Sequence, residues 1–263
     1  MLHYKTYILN NSLPWVTFIH GAGGSSSVWY KQVKEYKKHF NILLLDLRGH
    51  GRSSKNKWRK NDNFQHIAEE VIEVLNHLKI DSSHFVGISL GTVVIQTIAQ
   101  QHAHRIKSMV LGGAVTELIF RSRLLLALGN MGKYLLPYML LYRLFAWIMM
   151  PKLHHKEARN TFVSQAKKLC QKEFIRWFSL TRSINPFLRK LQHDFNNIPT
   201  LFIMGEQDHM FLPPVKQLAA RTKEVALVCI KHAGHVCNID SPTHFNQVSI
   251  EFITNNSKVK SII

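Results

Sequence analysis

The sequence predicts an α/β fold: a mostly parallel β-sheet flanked by helices. Short β-rich apolar runs alternate with longer segments of helical periodicity, the pattern of strands joined by covering helices. Several of those runs end on loops carrying Gly, Ser, Asp or His, the residue types that build sites at the ends of parallel strands. The chain also has 263 residues, 46% of them hydrophobic, enough for one large core with room for an insertion.

In chain order, Val16 to His20 reads as a strand ending at Gly21, Gly23 and Gly24. Ile42 to Asp46 is a second run, ending at Arg48-Gly49-His50-Gly51. Phe64 to Leu78 places Ile67, Val71, Val74, Leu75 and Leu78 at helical spacing. His84 to Gly87 is a short strand leading into Ser89, and Thr92 to Gln101 reads as a buried helix. Met109 to Leu111, Thr200 to Met204 and Val225 to Ile230 are further strands, and Thr243 to Ile253 is a closing helix. Between Val115 and about Asn197 the β pattern stops and the chain turns Leu-, Arg-, Lys- and aromatic-rich. The division that follows is a core of 1–114 and 198–263 with a helical cap, 115–197, inserted between two core strands.

Composition bounds the partners. Three cysteines without paired spacing, Cys170, Cys229 and Cys237, argue against a disulfide scaffold and fit a reducing cytosol. Met1 to Asn10 has no apolar run of the signal-peptide kind, and no uncharged apolar run reaches spanning length. The expected location is cytoplasmic, with an optional peripheral contact at the inner membrane surface. Thirty-four Lys and Arg against 16 Asp and Glu give a net charge of +18, a field that attracts anionic partners. From Val115 to Phe195 there are 14 Lys and Arg against 4 Asp and Glu, so much of that field belongs to the inserted segment. Specific nucleic-acid binding is not expected, because the basic-aromatic run Lys55-Asn56-Lys57-Trp58-Arg59-Lys60 is short and reads as a solvated loop. The histidines His102, His104, His154 and His155 show no metal-ligand spacing, so no metal is expected. The glycine loop after the first run lacks both the dinucleotide pattern and the Gly-Lys-Ser/Thr ending of a P-loop.

The chemistry-bearing signal is Gly87-Ile88-Ser89-Leu90-Gly91. Such a turn exposes a serine hydroxyl between a strand and a helix, and its glycines avoid collisions with both. The pattern alone is weak, but here a β run precedes Ser89 and a helical run follows. A serine hydroxyl needs a base, and the base needs an orienting acid. Asp208 lies just past the run Leu201 to Met204, and His235 just past Val225 to Ile230. Loops at the carboxyl ends of parallel strands open on one sheet edge, so Ser89, Asp208 and His235 can converge. The bland alternatives are Asp208 as a helix N-cap, with Glu206 or Asp240 as the acid, and His232 as a rival base. The loop His20 to Gly24 and the residue after Ser89 supply backbone amides for a developing oxyanion, assigned to Ala22 and Leu90.

These stretches resemble the α/β-hydrolase superfamily, close to its bacterial esterase, lactonase and cofactor-free haloperoxidase branch. The resemblance extends to Trp29, to Asp46 through Ser53, to Gly205 through Asp208, to Gly234-His235, and to Asp240-Ser241-Pro242 with Phe245. It implies a sheet of about eight strands, a helical cap over the site and no cofactor. Thr92 departs from it, standing where many relatives have a second glycine, which should tighten packing there. Trp29, Ile88 and Val236 are expected to line the substrate pocket.

The expected activity is hydrolysis of a carboxylic ester, thioester or lactone with a hydrophobic acyl or alcohol part, carboxylesterase-like, through an acyl-enzyme. The same constellation also serves carbon–carbon bond hydrolysis, a menaquinone-pathway synthase or perhydrolysis, and the fold can act as a non-catalytic binding module. The expected partner is a small ester or lipid-like molecule. Leu124 to Pro151, charged only at Lys133 and Arg143, reads as helices lining an acyl-sized pocket; the sharper alternative is an interfacial lid dipping into an anionic bilayer.

Overall fold

The computed structural model describes residues 1–54, 58–59, 61–181, 184–191, 197–222 and 225–258. One sheet organises them, in the order β1 (His3–Tyr7), β3 (Asn41–Asp46), β2 (Trp15–Ile19), β4 (Ser83–Ile88), β5 (Ile106–Gly112), β6 (Thr200–Gly205) and β7 (Val225–Ile230). Only β1 runs antiparallel, pairing with β3 from His3 opposite Asp46 to Tyr7 opposite Ile42. The described sheet therefore has seven strands, where the resemblance implied about eight. The strand without a counterpart in the apolar pattern is β1, whose sequence HYKTY is only half-buried because it sits on the edge.

The other strands are almost uninterrupted apolar runs because both sheet faces are covered. Along β3, Leu43 and Leu45 enter one core while Ile42 and Leu44 enter the other. The first core packs the sheet against α2 (Phe64–His77), α3 (Leu90–Gln101) and α9 (Leu212–Arg221). Asn63 caps α2, its side chain accepting the His66 amide. The opposite core is filled by α1 (Tyr30–Tyr36) and α11 (Pro242–Lys258), with Tyr36 and Phe245 fully buried.

Between β5 and β6 the described residues form five α-helices: α4 (Phe120–Gly132), α5 (Tyr138–Met149), α6 (Lys156–Ala166), α7 (Gln171–Leu180) and α8 (Ile184–Leu191). α8 returns to the main core through Leu188 and Leu191. α5, α6 and α7 build a small core of their own around Tyr142, Phe145, Phe174 and Phe178. That core is tied to the sheet layers at several places. Lys31 and Tyr30 of α1 both reach Glu157 of α6, at 2.7 and 3.0 Å. Trp177 of α7 donates its indole N–H to the Arg48 carbonyl at 3.0 Å and sits edge-on to His50 and Trp58. Of the basic-aromatic run 55–60, residues 55–57 and 60 lie outside the described residues; Trp58 points inward, its indole N–H on Glu173 and the Arg48 guanidinium over its ring.

Candidate active site

Parallel strands ending on one edge bring distant loops together. β4 delivers Ser89 into the first turn of α3, with φ at 54°, left-handed backbone that a serine adopts only under constraint. The constraint is visible on all sides. The Ser89 amide donates to the Gly112 carbonyl of β5 at 3.0 Å. The Thr92 amide and hydroxyl both donate to the Ser89 carbonyl, at 2.9 and 2.6 Å. A Cβ at Gly91 would run into the Ile19 carbonyl of β2, and one at Gly87 would press on Ile95 of α3, so the tight strand-to-helix crossing needs both glycines. Thr92 does tighten the elbow: its hydroxyl also accepts the Val115 amide at 3.2 Å, where the chain leaves β5.

The loop after β7 brings His235 to Ser89. His235 Nδ1–H donates to Asp208 Oδ2 at 2.8 Å, which leaves Nε2 to accept from the Ser89 hydroxyl at 2.9 Å. Asp208 is fully buried, and its other oxygen accepts the amides of Phe211 and Met210 at 3.1 and 3.3 Å. Those bonds orient the carboxylate from behind, so Asp208 serves the start of the following helix and the imidazole at once. The rivals fall elsewhere. Asp240 accepts the Gly234 amide at 2.8 Å and faces His155, while Glu206 and His232 are exposed. Phe211 lies under the His235 ring, centroids 4.8 Å apart, and limits its rotation.

The glycine loop after β2 faces Ser89 from the other side. Ala22 lines the same recess as Ser89, and Leu90 begins α3; neither amide has a hydrogen-bond partner among the described residues. Two buried imidazoles hold this loop, and sequence reasoning missed both. His20 Nε2 accepts the Leu47 amide at 3.0 Å, so its Nδ1–H donates to the Gly21 carbonyl at 2.8 Å. His50 Nε2 accepts the Gly23 amide at 2.9 Å and its Nδ1–H donates to the Arg48 carbonyl at 3.0 Å. Both rings are neutral acceptors in this arrangement. Burial lowers the His20 pKa, and burial together with the neighbouring His20 pushes that of His50 down to about 3. Asp46 adds a third anchor, accepting the amides of Ser26 at 2.7 Å and Arg52 at 2.9 Å.

The recess in front of Ser89 is narrow, about 460 Å³ including the part open to solvent. Ile88 and Val236 line it, as the sequence suggested, but Trp29 does not. Trp29 is fully buried behind the loop, packed on Phe18 and Phe245, and its neighbour Val28 takes the place at the wall. The spacing that marks Trp29 fixes its position along the chain but not the face of its short helical turn. Three lining residues, Thr161, Phe162 and Gln165, come from α6, in a segment with no motif that could have announced them. Gln165 also ties α6 to the glycine loop, accepting from the hydroxyls of Ser25 and Ser27 at 2.9 and 3.1 Å. No Lys or Arg stands among the lining residues, despite the net charge of +18.

Comparison with known proteins agrees with this fold. A family model described as alpha/beta hydrolase fold matches residues 14–137, which include the glycine loop, the serine elbow and β5. A putative carbamate hydrolase RutD of Acinetobacter baylyi is 25% identical over 256 residues, 91% of this chain and 92% of that protein. The solved structure of a hydrolase from Oleispira antarctica superposes with a TM-score of 0.85 at 18% identity, covering 96% of this chain and 94% of the other. The enol-lactonase from Burkholderia xenovorans gives a TM-score of 0.79 at 21% identity, with 96% of each chain covered.

Proposed function

Since this chain belongs to the α/β-hydrolase fold superfamily, we propose that it is a serine hydrolase that cleaves a carboxylic ester, thioester or lactone with a hydrophobic part. The observation that carries the reading is the continuous line from Asp208 through His235 to Ser89, each link a hydrogen bond of 2.8 or 2.9 Å. Ser89 attacks the acyl carbon while His235 Nε2 takes its proton. Asp208 holds the tautomer that leaves Nε2 free and stabilises the imidazolium that forms. The amides of Ala22 and Leu90 receive the oxyanion, and His235 then passes the proton to the leaving alcohol. Water, activated by the same imidazole, releases the acyl group. Aimed donors of this kind are typically worth about 2.7–4 kcal/mol each in transition-state stabilisation.

The substrate class follows from the walls. Ile88, Val28, Phe162, Val236 and Ile239 offer an apolar surface, with no cation to receive a substrate carboxylate. This favours a neutral acyl or alcohol group over the multiply charged substrates of carbon–carbon bond hydrolases and related lyases. The helices of 115–197 act as the cap that closes the recess.

Ser89→Ala is expected to abolish labelling by a fluorophosphonate probe and to lower ester turnover by about 10⁵-fold or more. Labelling of the Ala variant at the wild-type level would refute the nucleophile. A p-nitrophenyl ester series of increasing chain length on the purified wild-type protein should show kcat/KM rising with the first added methylenes and falling once the recess is filled.

A further inference from the structure

Residues 118 to 156 contain six Lys and Arg and not one Asp or Glu. The same stretch holds eleven of the sixteen large apolar side chains that stand exposed among the described residues. Their arrangement is regular. Phe120, Leu124, Leu128 and Met131 repeat at helical spacing along α4, all facing solvent. Leu140, Leu144 and Trp147 do the same along α5. The turn between the two helices carries Leu135, 84% exposed.

α5 makes the anomaly plain. Its inner face, with Leu141, Tyr142 and Phe145, is packed into the small core shared with α6 and α7. Its outer face is equally apolar, and Arg143 is its single charge. A helix apolar all round is ordinarily covered all round, yet among the described residues Leu140, Leu144 and Trp147 on its outer side stand exposed. Clustered exposed side chains of this kind mark a surface that meets a partner. Arg121 and Arg123 on α4 and Arg143 on α5 are exposed, as are Lys152 and Lys156 just after α5. Among the described residues no helix is long and apolar enough to cross a membrane.

We propose that the outer face of α4 and α5 docks into the interface of an anionic lipid bilayer. Its leucines, Phe120 and Trp147 enter the upper acyl region, and the surrounding Arg and Lys meet the lipid phosphates. The charge argues for lipid over a second copy of this chain. A symmetric contact would set the same patch against itself, cation facing cation with no carboxylate between them. A bilayer supplies the missing anions across its whole surface. Docking also places the recess near the lipid. Tyr142, on the inner face of α5, lies against Gly23 of the glycine loop, and Phe162 of the adjoining α6 lines the recess. The lipid-facing side thus stands roughly one helix thickness, ~10 Å, from the site. Docking stands independently of whether Ser89 is a nucleophile, because its readout is binding.

The test is sedimentation of the full chain with vesicles of phosphatidylcholine alone and of phosphatidylcholine with an equal part of phosphatidylglycerol. The wild-type protein should pellet with the anionic vesicles and at least about tenfold less with the neutral ones. Leu128→Glu combined with Leu135→Glu should cut anionic binding by about tenfold or more, with the far-UV circular dichroism melt unchanged because both side chains are exposed. Should that pair lower the melt, Arg121→Glu with Arg123→Glu carries the test and should weaken binding by a similar factor. Failure to pellet with anionic vesicles at low salt overturns the proposal, as does binding unaffected by these substitutions. So does a lipid-free dimer that Leu128→Glu with Leu135→Glu converts to monomer.

Discussion

Thr92 shows how one hydroxyl serves both folding and the site. It bonds the Ser89 carbonyl, which holds the left-handed elbow, and it accepts the Val115 amide where the chain departs from β5. Thr92→Val keeps the shape and removes both bonds. The Val115 amide then stays buried without a partner, so the variant should lose about 1–3 kcal/mol in urea unfolding. An unchanged midpoint would mean that the hydroxyl does not carry the elbow. His20 and His50 act in the same way at the neighbouring loop. Each is a neutral imidazole whose acceptor nitrogen takes one amide and whose donor nitrogen locks the tautomer. Neither role was legible in the sequence. A histidine beside glycines signals a site, but whether it touches the reacting atoms or buttresses the loop depends on ring orientation. Ser89, Asp208 and His235 were legible because their chain order and their positions after strands constrain them jointly. Trp29 was misread because a single aromatic, without periodicity around it, carries no information about the side it faces.

At the scale of elements, six strands and the closing helix could be read from the chain because a sheet covered on both faces forces unbroken apolar runs. β1 escaped because HYKTY carries no apolar run and keeps Lys5 and Tyr7 in solvent contact, whereas β7, on the opposite edge, is apolar throughout as VALVCI. The helices between β5 and β6 were legible as helices from composition, while their packing was not, since α5 is apolar on both faces and periodicity cannot say which side is covered. α7 is one of the elements that join this insertion to the core. Trp177 lies among His50, Trp58 and Phe64 and donates to the Arg48 carbonyl, the same carbonyl that receives His50 Nδ1–H. Trp177→Ala should cost about 3–5 kcal/mol of stability. It should also lower kcat for a soluble ester more than it raises KM, because the amides of the glycine loop lose their backing. A stability loss with kinetic constants intact would show α7 to be a purely structural strut.

For the whole molecule, the buried groups predict acid sensitivity with a definite sign. The folded pKa of His50 lies near 3 and that of His20 below its ordinary value, while both return toward 6.5 in the unfolded chain. Between those limits the unfolded state binds more protons, so stability falls as pH drops from about 6.5 toward 3. Asp46 adds to the effect at the lower end. Burial opposes its ionisation, but the Arg52 and Ser26 donors outweigh burial and hold the carboxyl below its ordinary value. Its stabilisation is present above the unfolded carboxylate range and is lost as pH falls through the depressed value. The unfolding free energy from urea titrations should therefore decrease from about pH 7 to about pH 4, by a few kcal/mol in total, with the midpoint falling alongside it. Added salt screens the mutual repulsion of the surplus cations but not a buried imidazole, so the loss should persist at high ionic strength. A midpoint that stays flat there would place the acid sensitivity on the surface.

The inserted helices leave the sheet at the carboxyl end of β5 and return before β6, on the rim where the loops of β2, β4, β6 and β7 meet. Asp208, His235 and Ser89, the hydrogen-bonded line at the site, all belong to those loops, whereas part of the recess wall is borrowed from α6. The wall of the recess and the serine beneath it thus come from different stretches of chain, joined through Trp177 and Gln165: a graft exchanging the span from β5 to β6 should re-tailor what is admitted only where it keeps those two side chains behind the glycine loop.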